Sequence, residues 1–217
     1  MKRMLLAAGT AVAITSGAAG AATIDFSTNN GASLSHGSFL NGTFDFGNGL
    51  TGTISTRGGS GIAQVFDTSI PRNVRTDDRD LQRPIGPTGA RSAALGNALI
   101  VNENRNRVDD NARGGRITFL FDSIVAFTGV TLIDLERNQP VRIRADRYNS
   151  GRLSNGDNRF TEFTPDRTVF TRSLSFQFYG SGAIDNIQVS AVPLPAPALM
   201  LLGGLGLMGA MRRRKKS

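Results

Sequence analysis

Between residues 23 and 191 apolar side chains recur at every second position, in short runs broken by Gly, Asn and Asp, and no segment carries an apolar stripe at helical spacing. Side chains alternate between the two faces of a strand, so this pattern predicts half-buried β-strands. The cleanest run is 141–147: Val141, Ile143 and Ala145 point one way, Arg142, Arg144 and Asp146 the other. Residues 43–46 and 50–56 flank Gly47-Asn48-Gly49 and predict a hairpin, with Phe44 and Phe46 sharing a face of one strand and Leu50 and Ile54 a face of its partner. Further strands are predicted at 62–66, 98–102, 116–121, 124–135, 168–170, 174–179 and 183–189. The run from Ile124 slips out of alternation at Thr128-Gly129, where a bulge fits. Residues 149–158 read as a turn-rich loop. Residues 67–97, with Pro71, Pro84 and Pro87, read as a polar loop of about thirty residues, a length at which loops are usually functional or disordered. Roughly nine to eleven short strands predict an all-β fold, a single β-sandwich of jelly-roll-like arrangement.

Such a domain needs something to hold it. The chain has 217 residues, enough for one domain with a real core once its ends are set aside. It has no cysteine, so stability rests on the core or on bound ions. Thirteen phenylalanines supply the bulk; there is no tryptophan, and the two tyrosines are Tyr148 and Tyr179.

The two ends follow different rules. Lys2 and Arg3 precede an apolar stretch at 4–14, and Ala19-Gly20-Ala21 offers the small-x-small pattern of signal-peptidase cleavage. Residues 1–22 are therefore expected to be a signal peptide cut after Ala21 or Ala22. At the other end Val192, Pro193, Leu194, Pro195 and Ala196 precede an apolar run to Met211, followed by Arg212, Arg213, Arg214, Lys215 and Lys216. The prolines keep the approach extended. The run is apolar on every face and predicts a transmembrane helix at 197–211. At 1.5 Å per residue, counted from Ala196, it spans about 24 Å against a bilayer core of about 30 Å, and snorkelling arginine and lysine stems cover part of the difference. The basic tail at 212–217 acts as a topology signal that stays in the cytoplasm. The chain thus divides into 1–22, a β-domain at 23–191, and a C-terminal segment at 192–217.

These ends also explain the formal charge of +8. Without their seven basic residues, eighteen basic residues face seventeen acidic ones, a net of +1. The high isoelectric point reports topology rather than a nucleic-acid surface, and nucleic acid is excluded as a partner.

The C-terminal segment resembles the VPLPA variety of the PEP-CTERM sorting signal of Gram-negative bacteria, on residues 192–196, the apolar run and the basic end. The resemblance implies an exosortase substrate: exported, held in the inner membrane as a precursor, cut near residues 193–196, then placed at the cell surface or outside the cell. Its partners would be signal peptidase, the exosortase and the inner membrane. A second resemblance runs over residues 65–136. Val65-Phe66-Asp67-Thr68-Ser69-Ile70-Pro71, Asp78-Arg79-Asp80-Leu81, Gly96-Asn97-Ala98-Leu99-Ile100-Val101, Asp109-Asp110 with Gly114-Gly115, and Leu132-Ile133-Asp134-Leu135-Glu136 look like a recurring core of exported PEP-CTERM-type proteins. It implies no activity, and the arginines of the long loop (Arg72, Arg75, Arg79, Arg83) depart from it.

Chemistry-bearing residues are few. Acidic residues gather at loops and strand ends, where carboxylates and carbonyls suit Ca²⁺, which takes six to eight oxygens at loosely fixed distances. Asp78, Asp80 and Asp134 are the candidate ligands, with Asp109 or Asp110 nearby. The alternative is a set of turn and cap residues, solvated or paired with arginine. No EF-hand or nonapeptide spacing is present. Asp185 in the last strand, set near Asp25, resembles in position the calcium of jelly-roll carbohydrate-binding modules. His36 is the only histidine and sits in a Ser-His-Gly turn; no Gly-x-Ser-x-Gly elbow accompanies it. The expected protein is not an enzyme but a structural or adhesive surface or matrix protein. The alternative is a carbohydrate-binding module of the envelope, calcium-stabilised, taking extracellular polysaccharide through loop Asp, Asn and Arg groups.

Overall fold

In a computed structural model, residues 21–89 and 95–192 are described, and every regular element among them is a strand. The expected signal peptide up to residue 20, Pro193 to Ala196 of the sorting motif, the membrane helix at 197–211 and the basic tail from Arg212 to Lys216 lie outside the described residues. Among the described residues no helix is long and apolar enough to cross a membrane.

Fourteen strands follow one another: β1 (Ala21–Ile24), β2 (Thr28–Asn29), β3 (Ala32–Ser33), β4 (Phe39–Leu40), β5 (Gly42–Asp45), β6 (Thr51–Arg57), β7 (Ala63–Asp67), β8 (Asn97–Val101), β9 (Gly115–Leu135), β10 (Val141–Ala145), β11 (Tyr148–Asn149), β12 (Gly156–Phe163), β13 (Val169–Phe178) and β14 (Ala183–Ala191). β2 and β3 form a two-stranded ribbon, and the other twelve belong to one large sheet. All strand pairs are antiparallel. The all-β architecture is consistent with a β-sandwich.

The sheet is built on β9. Its first half lies between β6 and β13, with Phe119 opposite both Ile54 and Leu174. Its second half lies between β12 and β14, with Leu132 opposite both Thr161 and Ile184. Burial follows the neighbours. In the first half Ile117, Phe119 and Phe121 are buried while Leu120 faces solvent. In the second half every residue from Val130 to Leu135 is buried. A strand covered on both faces loses its alternation and reads as a continuous apolar run.

Two packed clusters account for this. The larger includes Phe26, Phe44, Phe119, Phe121 and Phe176, whose rings meet at centroid distances of 5.8–6.3 Å, mostly edge to face. Those geometries suit the ring quadrupole. The smaller cluster lies on the opposite face of the second half of β9: Phe66, Ala98, Ile100, Ile133 and Ala183, with Leu81 from the long loop between β7 and β8. Fully burying a leucine stabilises by roughly 1.5–3 kcal/mol, so Leu81 anchors that polar loop against the sheet.

The hairpin predicted around Gly47-Asn48-Gly49 is β5–β6, with Phe44 opposite Gly52. Residues 141–145 alternate as expected, Val141, Ile143 and Ala145 being buried. Other expectations change. The strands expected at 116–121 and 124–135 are one strand, β9. Asp122, Ser123 and Ile124 are exposed in it, and its register against β13 shifts between Thr171 and Ser173. The strands expected at 168–170 and 174–179 likewise merge into β13. At Thr128-Gly129 β9 does not end, but its register against β14 slips there, as a bulge requires. The turn-rich loop expected at 149–158 is interrupted by β12, an edge strand with one buried residue and almost no apolar alternation to announce it.

Candidate functional site

The long loop, the turn after β8, the C-terminal end of β9 and the start of β14 meet at one end of the sheet. Residue by residue, the backbone explains why aspartates gather there. Asp78 Oδ1 accepts the backbone N–H groups of Asp80 at 3.0 Å and Leu81 at 3.2 Å, so the same short turn that buries Leu81 fixes Asp78. Asp110 forms an isolated bridge with Asn102, which folds residues 103–109 into a closed turn. Its Oδ2 accepts the backbone N–H of Gly182 at the entry to β14. Gly182 has φ +140°, and a Cβ there would lie 2.6 Å from Leu135 Cδ2, so glycine is required for this approach. Asp134 sits at the end of β9 with φ +56°, and its Oδ1 accepts the backbone N–H of Asn158 in β12.

Carboxylate oxygens of Asp78, Asp109 and Asp110 lie within 4.8 Å of one another. Asp78 and Asp110 are each 7% exposed, Asp134 5%, and Asp109 is half-buried. Burial raises the proton affinity of all four above the ordinary aspartate range. Mutual repulsion adds to it. The Asp134 charge raises both Asp78 and Asp110, and Asp78 raises Asp110. Asp134 is pushed up to about 6, first by burial, with Asp80, Asp157 and Glu136 adding repulsion and the Asn158 hydrogen bond opposing it. Asp109 is raised by burial, then by Glu103 and Asp77, and Arg107 partly offsets this. Two buried oxygens here have no donor: Asp78 Oδ2 and Asn158 Oδ1. Gln82 Oε1, in the same loop, is a third buried oxygen without a donor.

Of the residues the sequence singled out, Asp78, Asp109 and Asp110 come together, with Asp134 close enough for its charge to be felt. Asp80 is exposed; its backbone caps Asp78, and its side chain acts on Asp134 only through charge. Asn158 was missed. It lies inside the stretch read as a loop, and only its hydrogen bond to Asp134 reveals it. Asp185 lies elsewhere, fully buried in β14, where the Asp25 charge reaches it. His36 accepts the Asp67 N–H on Nδ1 at 3.2 Å and stacks edge-on against Phe66 at 5.0 Å. Burial lowers its proton affinity. The loop arginines Arg72, Arg75 and Arg79 line a cleft of about 420 Å³ with Asn73, Val74 and Thr76. Tyr179 carries Arg142 and Arg152 at 5.9 and 5.2 Å from its ring centre.

No protein-family model matches the chain, and no curated protein matches it. Among solved structures the chain is similar to one described as "CpGH89CBM32-6 produced by Clostridium perfringens", at 8% identity and a TM-score of 0.24, covering 38% of this chain and 71% of that one. A likeness at that level carries no argument about fold or function.

Proposed function

We propose that this chain is an exported surface or extracellular-matrix protein whose C-terminal segment is a PEP-CTERM-type signal read by an exosortase. Its working part is a non-catalytic, structural or adhesive β-sandwich, jelly-roll-like in arrangement. The signal peptide directs export, the membrane helix at 197–211 holds the precursor in the inner membrane, and processing near Pro193 to Ala196 delivers the domain to the surface.

The observation that supports this reading is the placing of the domain's two ends. β1 pairs with β14, and Ala21 lies opposite Ser190. The start of β1 and the end of β14 therefore lie side by side in the sheet. A non-catalytic role is supported by His36, whose Nδ1 is engaged by backbone and whose ring packs on Phe66.

The test is processing. Replacing Pro193 and Pro195 by alanine is expected to leave export intact and the tail attached, as read by mass spectrometry of the mature termini. Identical termini in variant and wild type would overturn the reading.

A second reading is favoured by the arginine-lined cleft at Arg72, Arg75 and Arg79: binding of an acidic extracellular polysaccharide. Guanidinium groups pair with carboxylate and sulfate groups in bidentate fashion. Tyr179 is not a free stacking platform, since arginine side chains lie over its ring. Binding to acidic glycans on an array, lost when the three arginines become alanine, would support this reading over a purely structural one.

A further inference from the structure

We propose that Asp78, Asp109 and Asp110 form a divalent-cation site of calcium type that pins the long β7–β8 loop to the turn before β9. This goes beyond the export reading and does not depend on it.

Geometry carries the proposal. Carboxylate oxygens from two separate parts of the chain, the long loop and the turn before β9, lie within 4.8 Å of one another. Asp134, at the end of β9, is near enough for its charge to reach Asp78 and Asp110. The hydrogen bonds these carboxylates accept come from neutral donors, the backbone N–H groups of Asp80, Leu81, Gly182 and Asn158 and the Ser181 side chain, and Arg107 offsets only part of the repulsion on Asp109. Buried carboxylates need a compensating positive charge, and neutral donors do not supply one. A second observation is independent of the acidity. Asp78 is 7% exposed, its Oδ1 is fully used by two N–H groups, and its Oδ2 accepts nothing. Asn158, also 7% exposed, holds Asp134 through its backbone N–H and leaves its own side-chain oxygen without a donor. Buried oxygens are hydrogen-bonded in the great majority of cases, so the orphaned Asp78 Oδ2 within a group of carboxylates marks a place for a cation.

The donor set selects the ion. It contains oxygen alone, with no histidine or cysteine, which argues for a hard cation over zinc or copper. The ligands come from irregular segments and strand ends that adjust easily, which suits the loose six-to-eight-fold shell of Ca²⁺ better than the strict octahedron of Mg²⁺. Binding would cross-link the long loop and the turn before β9. A domain without disulfides gains rigidity in this way.

The experiment uses the full chain in detergent micelles, freed of metal by EDTA and dialysed. Isothermal titration with CaCl₂ is expected to give one ion per chain with a dissociation constant of about 10⁻³ M or tighter, and MgCl₂ to bind at least about tenfold more weakly. At 10 mM CaCl₂ the melting temperature should rise by about 3–10 °C. Asp78→Asn and Asp110→Asn should abolish both responses, while Asp80→Asn should keep them. If a variant fails to fold, the wild-type titration decides alone. No heat and no change in melting with either CaCl₂ or EDTA overturns the proposal, and so does calcium binding that survives in a folded Asp78→Asn/Asp110→Asn double variant.

Discussion

Asp185 is fully buried in β14, and its two oxygens accept only from Asn186, one bond from the backbone N–H and one from the side-chain amide. Burial first, and the Asp25 charge after it, push its pKa up to about 8. In the unfolded chain an aspartate titrates near 4. Below that pH both states hold the proton, and the group's contribution to stability is at its most favourable. Between about 4 and 8 only the folded state holds it, so stability is lost as pH rises through that window. At about 1.4 kcal/mol per unit, the loss is on the order of a few kcal/mol. Asp185→Asn removes the titration, so urea unfolding at pH 5 and pH 9 should show the variant gaining on the wild type as pH rises. An unchanged difference between the two proteins at both pH values would refute the assignment. Gly182 offers a second test. Alanine there meets Leu135 and the Ile133 carbonyl and must adopt a φ of +140°, so Gly182→Ala should cost about 1–3 kcal/mol in the same assay. These residues mark how far a sequence can be read. Asp78, Asp109, Asp110 and Asp134 stand out as loop acids, but their meeting is set by the Asn102–Asp110 bridge and the placing of Asp78 by Leu81. The approach of Asp78 to Asp109 and Asp110, far along the chain from it, leaves no local trace.

Strands were legible where one face is buried and the other is wet. Val141, Ile143 and Ala145 announce β10, and the Gly47-Asn48-Gly49 turn announces β5–β6. β12 was not legible, because only Asn158 of its residues is buried and its pairing to β9 is imposed by Ile133 and Leu132 across from it. The long β7–β8 loop sits between these cases. Its polarity and prolines identify it as a loop, yet it is tied down: Thr68 Oγ1 donates to the Gly96 carbonyl at 2.8 Å, Arg83 N–H to the Thr68 carbonyl at 2.9 Å, and Ile85 N–H to the Asn158 carbonyl at 2.8 Å. Leu81 anchors the middle. Leu81→Ala should therefore cost about 2–4 kcal/mol by urea denaturation. It should also speed tryptic cleavage at Arg72, Arg75 and Arg79 relative to wild type. Equal cleavage rates would mean that the hydrogen bonds, and not Leu81, fix the loop.

The closing contact of the described molecule is β1 on β14, and it decides how a processed form can survive. Ala21 and Ala22 pair with Ser190 and Val189, and Thr23 and Ile24 with Gln188 and Ile187. The four residues are not equivalent. Ala21 is exposed and Ala22 half-buried, whereas Ile24 is buried in the main core beside Phe26. A cut after Ala22 removes two rungs at the end of an edge strand and little apolar area; a cut two residues later removes the residue that covers the core. Chain ends tolerate loss where the backbone is exposed and resist it where it is packed. A domain starting at Thr23 should thus keep its stability to within about 1 kcal/mol of one starting at Ala21, since only edge pairing is lost. Ile24→Ala in either form should cost about 2–4 kcal/mol, the range for emptying a buried aliphatic site. Urea unfolding of the three proteins separates the cases. If the Thr23 form is as unstable as the Ile24→Ala variant, β1 works through its hydrogen bonds and a stable domain must begin at or before Ala21.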